Sequence, residues 1–129
     1  MGIEIKPIGY VKTTENKVPR HWSVSDLEGE LVMENKYLKG MKDIKADRKI
    51  VVIFHFNQSG NFNPDNLIQK PKHHKNKMGV FSICSPLRPN PIGLSVLKVL
   101  KVKGCTIYVK GLDMLNNTPI LDIKPYMEA

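Results

Sequence analysis

The sequence has few of the features that identify secreted, membrane-bound or thiolate-metal proteins. Its only cysteines, Cys84 and Cys105, do not form a CxxC pair, which argues against a common zinc site and favours reduced thiols. No apolar run approaches the roughly 20 residues of a membrane span, and the first residues do not resemble a signal peptide. We therefore expect a cytoplasmic protein with no membrane partner.

The usual cofactor and metal motifs are also missing. No GxGxxG follows a strand and no GxxxxGK[ST] occurs, so the sequence supports neither a Rossmann nucleotide site nor a P-loop. His55, His73, His74 and Cys84 could contribute to a metal site, but they lack HxH or HExxH spacing. Cys84 fits an apolar core position better than a nucleophile. We predict no metal site.

Acidic residues are outnumbered by basic ones, twelve against twenty, which gives a net charge of +8. This balance favours a polyanionic partner, because lysines beside phosphates gain affinity from counterion release. A lysine-rich surface that only confers solubility is an equally good interpretation. Lys70, Lys72, Lys75 and Lys77 fall within eight residues with no acidic residue among them. Such a loop is a natural place for phosphate contacts, although most charge runs are merely solvated.

Arginine is scarce, and one of the three arginines lies in a stretch that proline makes stiff. The segment Ser85–Gly93 has three prolines, at positions 86, 89 and 91, which fix φ and remove three backbone donors. Arg88 and Asn90 are therefore presented with little conformational freedom to lose, as a binding or catalytic site requires. The segment can also be a plain connector, in which the arginine ties down loop carbonyls.

The fold class follows from the spacing of strands and turn residues. At 129 residues the chain is expected to form one domain over residues 1–129. Short strands with little helix predict a mainly β protein, a single antiparallel barrel or sandwich with one or two short helices. The predicted strands are 3–11, 28–33, 50–56, 93–103, 105–110 and 119–124, and residues 35–47 predict a helix of one or two turns. We expect strand 50–56 to be buried on both sides.

A second polar cluster lies near the C-terminus. Asn116 and Asn117 suit the left-handed geometry of a tight turn. Asp122 and Lys124 are two residues apart on a predicted strand, so their side chains share one face. They can form a structural ion pair, or they can hold or activate a substrate.

Together these clusters resemble a known family. Met78–Phe81 followed by Ser85–Ser95 resembles the first signature of the TsaA-like β-barrel methyltransferases, and Asp113 with Thr118–Tyr126 resembles the second. The resemblance covers nearly the whole chain and is to the compact, single-domain form. It implies a small barrel, a homodimer, that binds S-adenosylmethionine and methylates N6 of threonylcarbamoyl-adenosine beside the anticodon of certain tRNAs.

The resemblance also implies a set of site residues. Cofactor contacts are expected at His21, Trp22, Ser23, His55, Phe56, Cys84, Leu94, Asp113, Met114, Leu115 and Asn116. Three of these positions depart from the family pattern. Cys84 stands where arginine is usual, Asn116-Asn117 where Asp-Gly is common, and His21 where glutamine is usual.

The expected chemistry is methyl transfer to a weakly nucleophilic, urea-like nitrogen, for which positioning and proton removal both help. Asp122 or Tyr126 is a candidate to take the proton, with Lys124 tuning the acid. Arg88 and Asn90 are candidates to hold the threonyl carboxylate or the carbamoyl group. This hypothesis requires segment Ser85–Gly93 and the C-terminal strand to wall one pocket, within one chain or across a dimer. A non-catalytic RNA-binding barrel, or a methyltransferase for another RNA or a small metabolite, remains an alternative.

Overall fold

The computed structural model describes residues 2–127 of the chain, which form a closed antiparallel barrel with short excursions. The strands are β1 (Gly9–Lys12), β2 (Glu28–Met33), β3 (Lys49–His55), β4 (Ile68–Gln69), β5 (Met78–Gly79), β6 (Ile92–Lys103), β7 (Thr106–Lys110) and β8 (Pro119–Pro125). Within the described range, six strands close the barrel in the order β1-β2-β7-β6-β3-β8, and β4 pairs with β5 in a separate hairpin. The predicted fold class is confirmed.

The barrel interior is filled by the apolar half of each alternating strand. Side chains at every second position point inward, so aliphatic and aromatic residues from all six strands meet in one core. The side chains with less than 2% exposure include Val11, Leu31, Val52, Leu97, Val99, Ile107, Val109, Leu112, Met114 and Ile120. This burial holds the strand ends, and the loops between them, in fixed positions.

Strand β3 differs from the sequence prediction in its burial. Ile50, Val52 and Phe54 are buried, but Val51 and Ile53 are only half-buried, so the prediction of burial on both sides is wrong. The reason is the architecture, because a closed barrel buries only the inner face of its sheet. The outer face of β3 therefore remains available for contacts.

The first strand is shorter than predicted. Regular pairing of β1 begins at Gly9, after Pro7, although the N–H of Ile8 already donates to the carbonyl of Ile120 at 2.7 Å. Proline at position 7 cannot donate to a ladder, which explains why the predicted strand over 3–11 loses its first half.

The helical segments in residues 2–127 are all 3₁₀ turns, at Trp22–Val24, Asn35–Met41, Pro64–Leu67 and Val80–Ser82. The two-turn segment Asn35–Met41 occupies the first part of the helix predicted over 35–47. Within this range, no helix is long and apolar enough to cross a membrane.

A bulge in β8 decides which way the C-terminal polar residues point. Phe54 pairs with Ile120 and Ile53 with Asp122, so one extra residue of β8 lies between the two pairs. Ile120 faces the core, whereas Asp122 and Lys124 pair with Ile53 and Val51 on the outer wall of the barrel.

Candidate functional site

A cavity of about 890 Å³ opens at the end of the barrel where β3 ends and β6 begins. Its size lies within the range typical of small-molecule sites. Four separate parts of the chain supply its walls: the loop before the first 3₁₀ turn, the end of β3, the proline-rich segment with the start of β6, and the turn before β8. The lining side chains come from residues 16–22, 54–59, 83, 84, 86, 88, 92–94, 113–115 and 118.

Most of the predicted cofactor contacts lie in this cavity. Nine of the eleven line it: His21, Trp22, His55, Phe56, Cys84, Leu94, Asp113, Met114 and Leu115. Ser23 and Asn116 are not in its lining. Residues distant in the sequence are thus brought together around one volume, and their binding of a cofactor stays a prediction.

The end of β3 gives the cavity an aromatic wall. The rings of Phe54 and Phe56 pack edge to face, with centroids 4.9 Å apart. Gly93 makes this possible, because a Cβ built at that position would collide with both rings. The result is an apolar, aromatic wall of the kind that lines small-molecule sites.

His21 and Trp22 form a second wall of the cavity, and Ser23 holds the His21 ring. The His21 ring lies 4.9 Å from the Trp22 ring, and its Nδ1 accepts the backbone N–H of Ser23 at 3.2 Å. The Ser23 hydroxyl lies 2.7 Å from the same nitrogen. Ser23 therefore orients the imidazole from outside the cavity, which explains its absence from the lining.

Asp113 is the charged group at the centre of this arrangement. The hydroxyl of Ser95, which is fully buried, donates to Asp113 Oδ1 at 2.5 Å. Burial raises the pKa of Asp113, and the Ser95 hydrogen bond, the charge of His21 and the N–H groups of Trp22 and Asp113 oppose that rise. A carboxylate held in such surroundings favours a cationic ligand in the cavity, because the cation offsets the cost of desolvation.

The proline-rich segment presents Arg88 at the cavity, but part of its guanidinium is already used. Arg88 Nη1 donates to the carbonyls of Ile83 at 2.9 Å and Ser85 at 3.1 Å. Within residues 2–127, Nη1 is the donor in both hydrogen bonds of this side chain. Arg88 therefore does tie down loop carbonyls, as one interpretation of the sequence expected. Asn90 is exposed and does not line the cavity.

Cys84 is exposed, so its interpretation as a core residue is wrong. It lies in the cavity wall, because the turn Val80–Ser82 and the following loop run along the outside of the barrel. Leu94, also in the lining, points away from the barrel core and is 52% exposed.

The turn before β8 confirms the tight-turn interpretation for one of its two asparagines. Asn117 has a φ of 68°, in the left-handed region that asparagine tolerates. The side chain of Asn116 instead accepts the N–H of Thr13 at 3.0 Å, which fixes the turn from its outer side. This contact explains why Asn116 is not in the cavity lining.

The predicted catalytic residues of the C-terminal strand do not line the cavity. Asp122 and Lys124 form an ion pair at 2.9 Å on the outer wall, and Tyr126 lies beyond them near Lys49, whose Nζ is 5.6 Å from the ring centroid. Asp122 is separated from Leu94 by one strand, roughly 10 Å. The expectation that both segments wall one pocket is thus not met within one protomer.

Sequence reasoning missed parts of two walls of the cavity. Residues 16–20, which include Lys17 and Arg20, line it ahead of His21, and Gln58 and Ser59 line it after β3. These residues are next to predicted contacts in the sequence, and that position could have identified them as part of the cavity lining. In the part of the chain that the structure describes, no group of three or more His, Cys, Asp or Glu residues could hold a metal ion.

Comparison with known proteins places this cavity in context. Residues 10–129 match the model of the tRNA-methyltransferase O N-terminal domain family. An S-adenosyl-L-methionine-binding protein of Archaeoglobus fulgidus is 37% identical over 95% of this chain and 88% of its own length. The human tRNA (adenine(37)-N6)-methyltransferase is 33% identical over 95% of this chain, which spans 30% of the human protein.

A solved structure has the same architecture. The crystal structure of TrmO from Pseudomonas aeruginosa superposes with a TM-score of 0.76 at 26% identity. The superposition covers 98% of this chain and 57% of that one, so the present chain corresponds to a little over half of that protein.

Proposed function

The chain belongs to the tRNA-methyltransferase O N-terminal domain family, and we propose that it transfers a methyl group from S-adenosylmethionine to N6 of an adenosine in tRNA. The proposed substrate is threonylcarbamoyl-adenosine beside the anticodon. The names of two relatives support both halves of the proposal: an S-adenosyl-L-methionine-binding protein, and a tRNA (adenine(37)-N6)-methyltransferase. The observation that carries it is the convergence of nine predicted cofactor contacts on one cavity.

The residues of the cavity fit this cofactor. Phe56 and Trp22 offer the flat apolar faces that an adenine ring needs. Asp113 offers a half-buried carboxylate to the positive charge of the ammonium or sulfonium group. Lys17 and Arg20 offer cations to the carboxylate of the methionine moiety. When bound, the cofactor supplies an electrophilic methyl group.

The protein's own task is to orient N6 and to remove its proton. The lone pair of a urea-like nitrogen is delocalised, so a base positioned within hydrogen-bond reach lowers the barrier. Asp122 is our proposed base, since it is half-buried and its ion pair with Lys124 at 2.9 Å holds the carboxylate in place. Tyr126 is the second candidate.

Because Asp122 lies outside the cavity of its own chain, the proposal requires a homodimer. The outer wall between Asp122 and the cavity is apolar, with half-buried Ile53 and Val96 and 52% exposed Leu94. Exposed aliphatic residues in a row are typical of a surface that another chain covers. We propose that a second copy covers this wall symmetrically and brings its own Asp122 towards the cavity.

The proposed role of Arg88 is to hold the substrate with the donors that its loop contacts leave free, Nε and Nη2. Arg88→Lys keeps the charge but loses both the fork and the paired bonds to Ile83 and Ser85. We expect the KM for tRNA to rise roughly tenfold, as for a lost charged hydrogen bond. Unchanged tRNA kinetics in this variant would remove Arg88 from the substrate site.

The decisive experiment is methyl transfer from labelled S-adenosylmethionine to total tRNA, followed by mass spectrometry of the nucleosides. We expect the label in N6-methylated threonylcarbamoyl-adenosine. Calorimetric binding of the cofactor without any transfer to RNA would point to a small-metabolite substrate. RNA binding without cofactor binding would leave the non-catalytic barrel as the better description.

The proposal also places the protein in the cytoplasm, where tRNA is available and thiols are reduced. Cys84 and Cys105 are both free, as expected in such a compartment.

A further inference from the structure

The excess positive charge of the protein lies in one part of the chain. Residues 66–112 contain nine basic side chains and no acidic one, whereas the other residues contain eleven basic and twelve acidic side chains. The net charge of +8 therefore comes entirely from this segment. An asymmetry of this size indicates a surface that meets an anionic partner.

Within this segment, the charge is densest in the loop that joins β4 to β5, which we name the basic loop (residues 70–77). Its lysines and histidines are all exposed: Lys70, Lys72, His73, His74, Lys75 and Lys77. Among the described residues, no carboxylate lies within 4.0 Å of these lysines, whereas Lys36, Lys98 and Lys110 each pair with one. The basic loop therefore presents cations that the protein itself does not neutralise.

The basic loop is fastened to a wall of the cavity. At its base, Gln69 Nε2 donates to the carbonyl of Leu87 at 2.8 Å and to that of Asn66 at 2.6 Å. Leu87 lies between Pro86 and Arg88, and both of these residues line the cavity. The loop is thus fixed next to the place where a substrate would enter.

Another row of lysines has a different character. Lys49, Lys98 and Lys110 face each other on three adjacent strands along a shallow groove of about 280 Å³. Lys98 pairs with Asp47 at 3.6 Å, Lys110 pairs with Asp26 at 4.0 Å, and Lys49 lies over the Tyr126 ring. Because these cations already have partners, this row is a weaker candidate for binding an anion.

We propose that the basic loop is an RNA-binding arm, whose lysines contact backbone phosphates next to a nucleotide held at the cavity. The inference rests on the proposed function, since it takes tRNA as the partner. Lysine is a flexible point charge, which suits contact with phosphates in any sequence. The loop would therefore position the RNA without reading its bases.

The test compares two variants that lose the same charge. The loop variant carries Lys70→Gln, Lys72→Gln, Lys75→Gln and Lys77→Gln. The control carries Lys36→Gln, Lys39→Gln, Lys42→Gln and Lys45→Gln, four exposed lysines in a segment that also contains Asp43 and Asp47. Filter binding of total tRNA over a salt series gives Kd and its salt dependence, and calorimetry with S-adenosylmethionine gives a reading that does not involve RNA.

We expect the loop variant to bind tRNA roughly tenfold or more weakly than the parent, with a slope of log Kd against log salt that is shallower by about three. The control should stay within about twofold of the parent, and cofactor binding should be unchanged in both variants. Equal loss of tRNA affinity in loop and control variants, or no loss in either, would overturn the inference.

The experiment separates this inference from the proposed function. A parent that binds tRNA through the loop but transfers no methyl group would overturn the proposed function and support the RNA-binding arm. If the parent methylates tRNA and the loop variant does so with the same KM, the RNA-binding role of the basic loop would be overturned and the proposed function would stand. A parent that does not bind tRNA at all would overturn both.

Discussion

The cavity at the barrel end and the outer wall beside it hold their polar groups in different ways. In the cavity, Asp113 is fixed by the buried hydroxyl of Ser95, which lies 18 residues away in the sequence, on β6. On the outer wall, Asp122 has an ion pair with Lys124, two residues along the same strand, and the adjacent N–H of Ile123. Interactions from distant parts of the chain preorganise the first group, whereas only local contacts hold the second.

This difference indicates a division of labour. A preorganised carboxylate suits the binding of a small ligand that must be oriented in one way. A locally held, partly exposed carboxylate can be completed by another molecule, which in our proposal is a second protomer with the RNA. Under that proposal, the comparison separates the residues proposed to bind cofactor from those proposed to act only in the assembled complex.

The largest expected effect is on catalysis at the outer wall. Asp122→Asn removes the proposed base while its Oδ1 can still accept the N–H of Ile123. We expect the methyl transfer rate to fall by about 10²–10⁴-fold, the usual share of general base catalysis. Cofactor affinity and thermal stability should hardly change, because an ion pair with about half of each side chain exposed contributes little. Asp26→Asn, which removes another exposed ion-paired carboxylate, is the control and should keep the parental rate.

Mixed dimers show whether Asp122 acts across the interface. Cys84→Trp fills the cavity from an exposed position, so it should block the cofactor without disturbing the core. In a dimer of this variant with Asp122→Asn, one of the two sites combines an intact cavity with an intact Asp122. Co-expression should therefore restore activity to about a quarter of the parental value. Activity that stays at the level of the single variants would mean that Asp122 serves its own chain, and would contradict the shared site.

The next effect is on cofactor binding at the cavity. Asp113→Asn keeps the size of the side chain but removes its charge, and we expect affinity for S-adenosylmethionine to fall roughly 10- to 100-fold. The cofactor Kd of the parent should rise as the pH falls through the elevated pKa of Asp113, since protonation removes the same charge. Calorimetry from neutral to acidic pH measures both. A Kd that does not change with pH, or in the variant, would exclude a charge contact.

Asp113→Asn should lower cofactor affinity but should not lower the thermal stability of the protein without ligand. A carboxyl whose pKa is raised by folding stabilises the protein below its unfolded pKa, and this contribution is lost as the pH rises through the folded pKa. At neutral pH the ionised Asp113 thus opposes folding. Without ligand, Asp113→Asn should melt at or above the temperature of the parent, and the difference should shrink in acid.

Local patterns predicted the barrel well, because strand pairing repeats every two residues. Strand Glu28–Met33 was predicted to the residue, and the shared face of Asp122 and Lys124 was also correct. The alternation of apolar and polar residues does not show whether a sheet closes into a barrel. The outer face of β3 is not buried because the sheet does close. Two-sided burial was therefore predicted for Ile50–Phe56 and was wrong.

The site was predicted less completely, because its geometry depends on contacts between distant segments. The sequence shows Ser23 next to Trp22, but not that it turns towards His21 and away from the cavity. It shows Arg88 between prolines, but not that one guanidinium nitrogen is already occupied by Ile83 and Ser85. Such details are set by hydrogen bonds that form only after the loops are in place.

The smallest effect concerns the packing that shapes the cavity. Gly93→Ala adds a Cβ against the rings of Phe54 and Phe56, which are already packed edge to face. Overpacking of this kind should lower the free energy of unfolding by about 1–3 kcal/mol and shift the aromatic wall. Gly40→Ala is the matched control, because nothing lies within 4 Å of its added Cβ. Thermal melts should show a lower Tm for the first variant and an unchanged or slightly higher Tm for the second. If both variants melted like the parent, the two rings would have room to move. The cavity would then not be more rigidly preorganised than the outer wall, which would contradict the comparison drawn above.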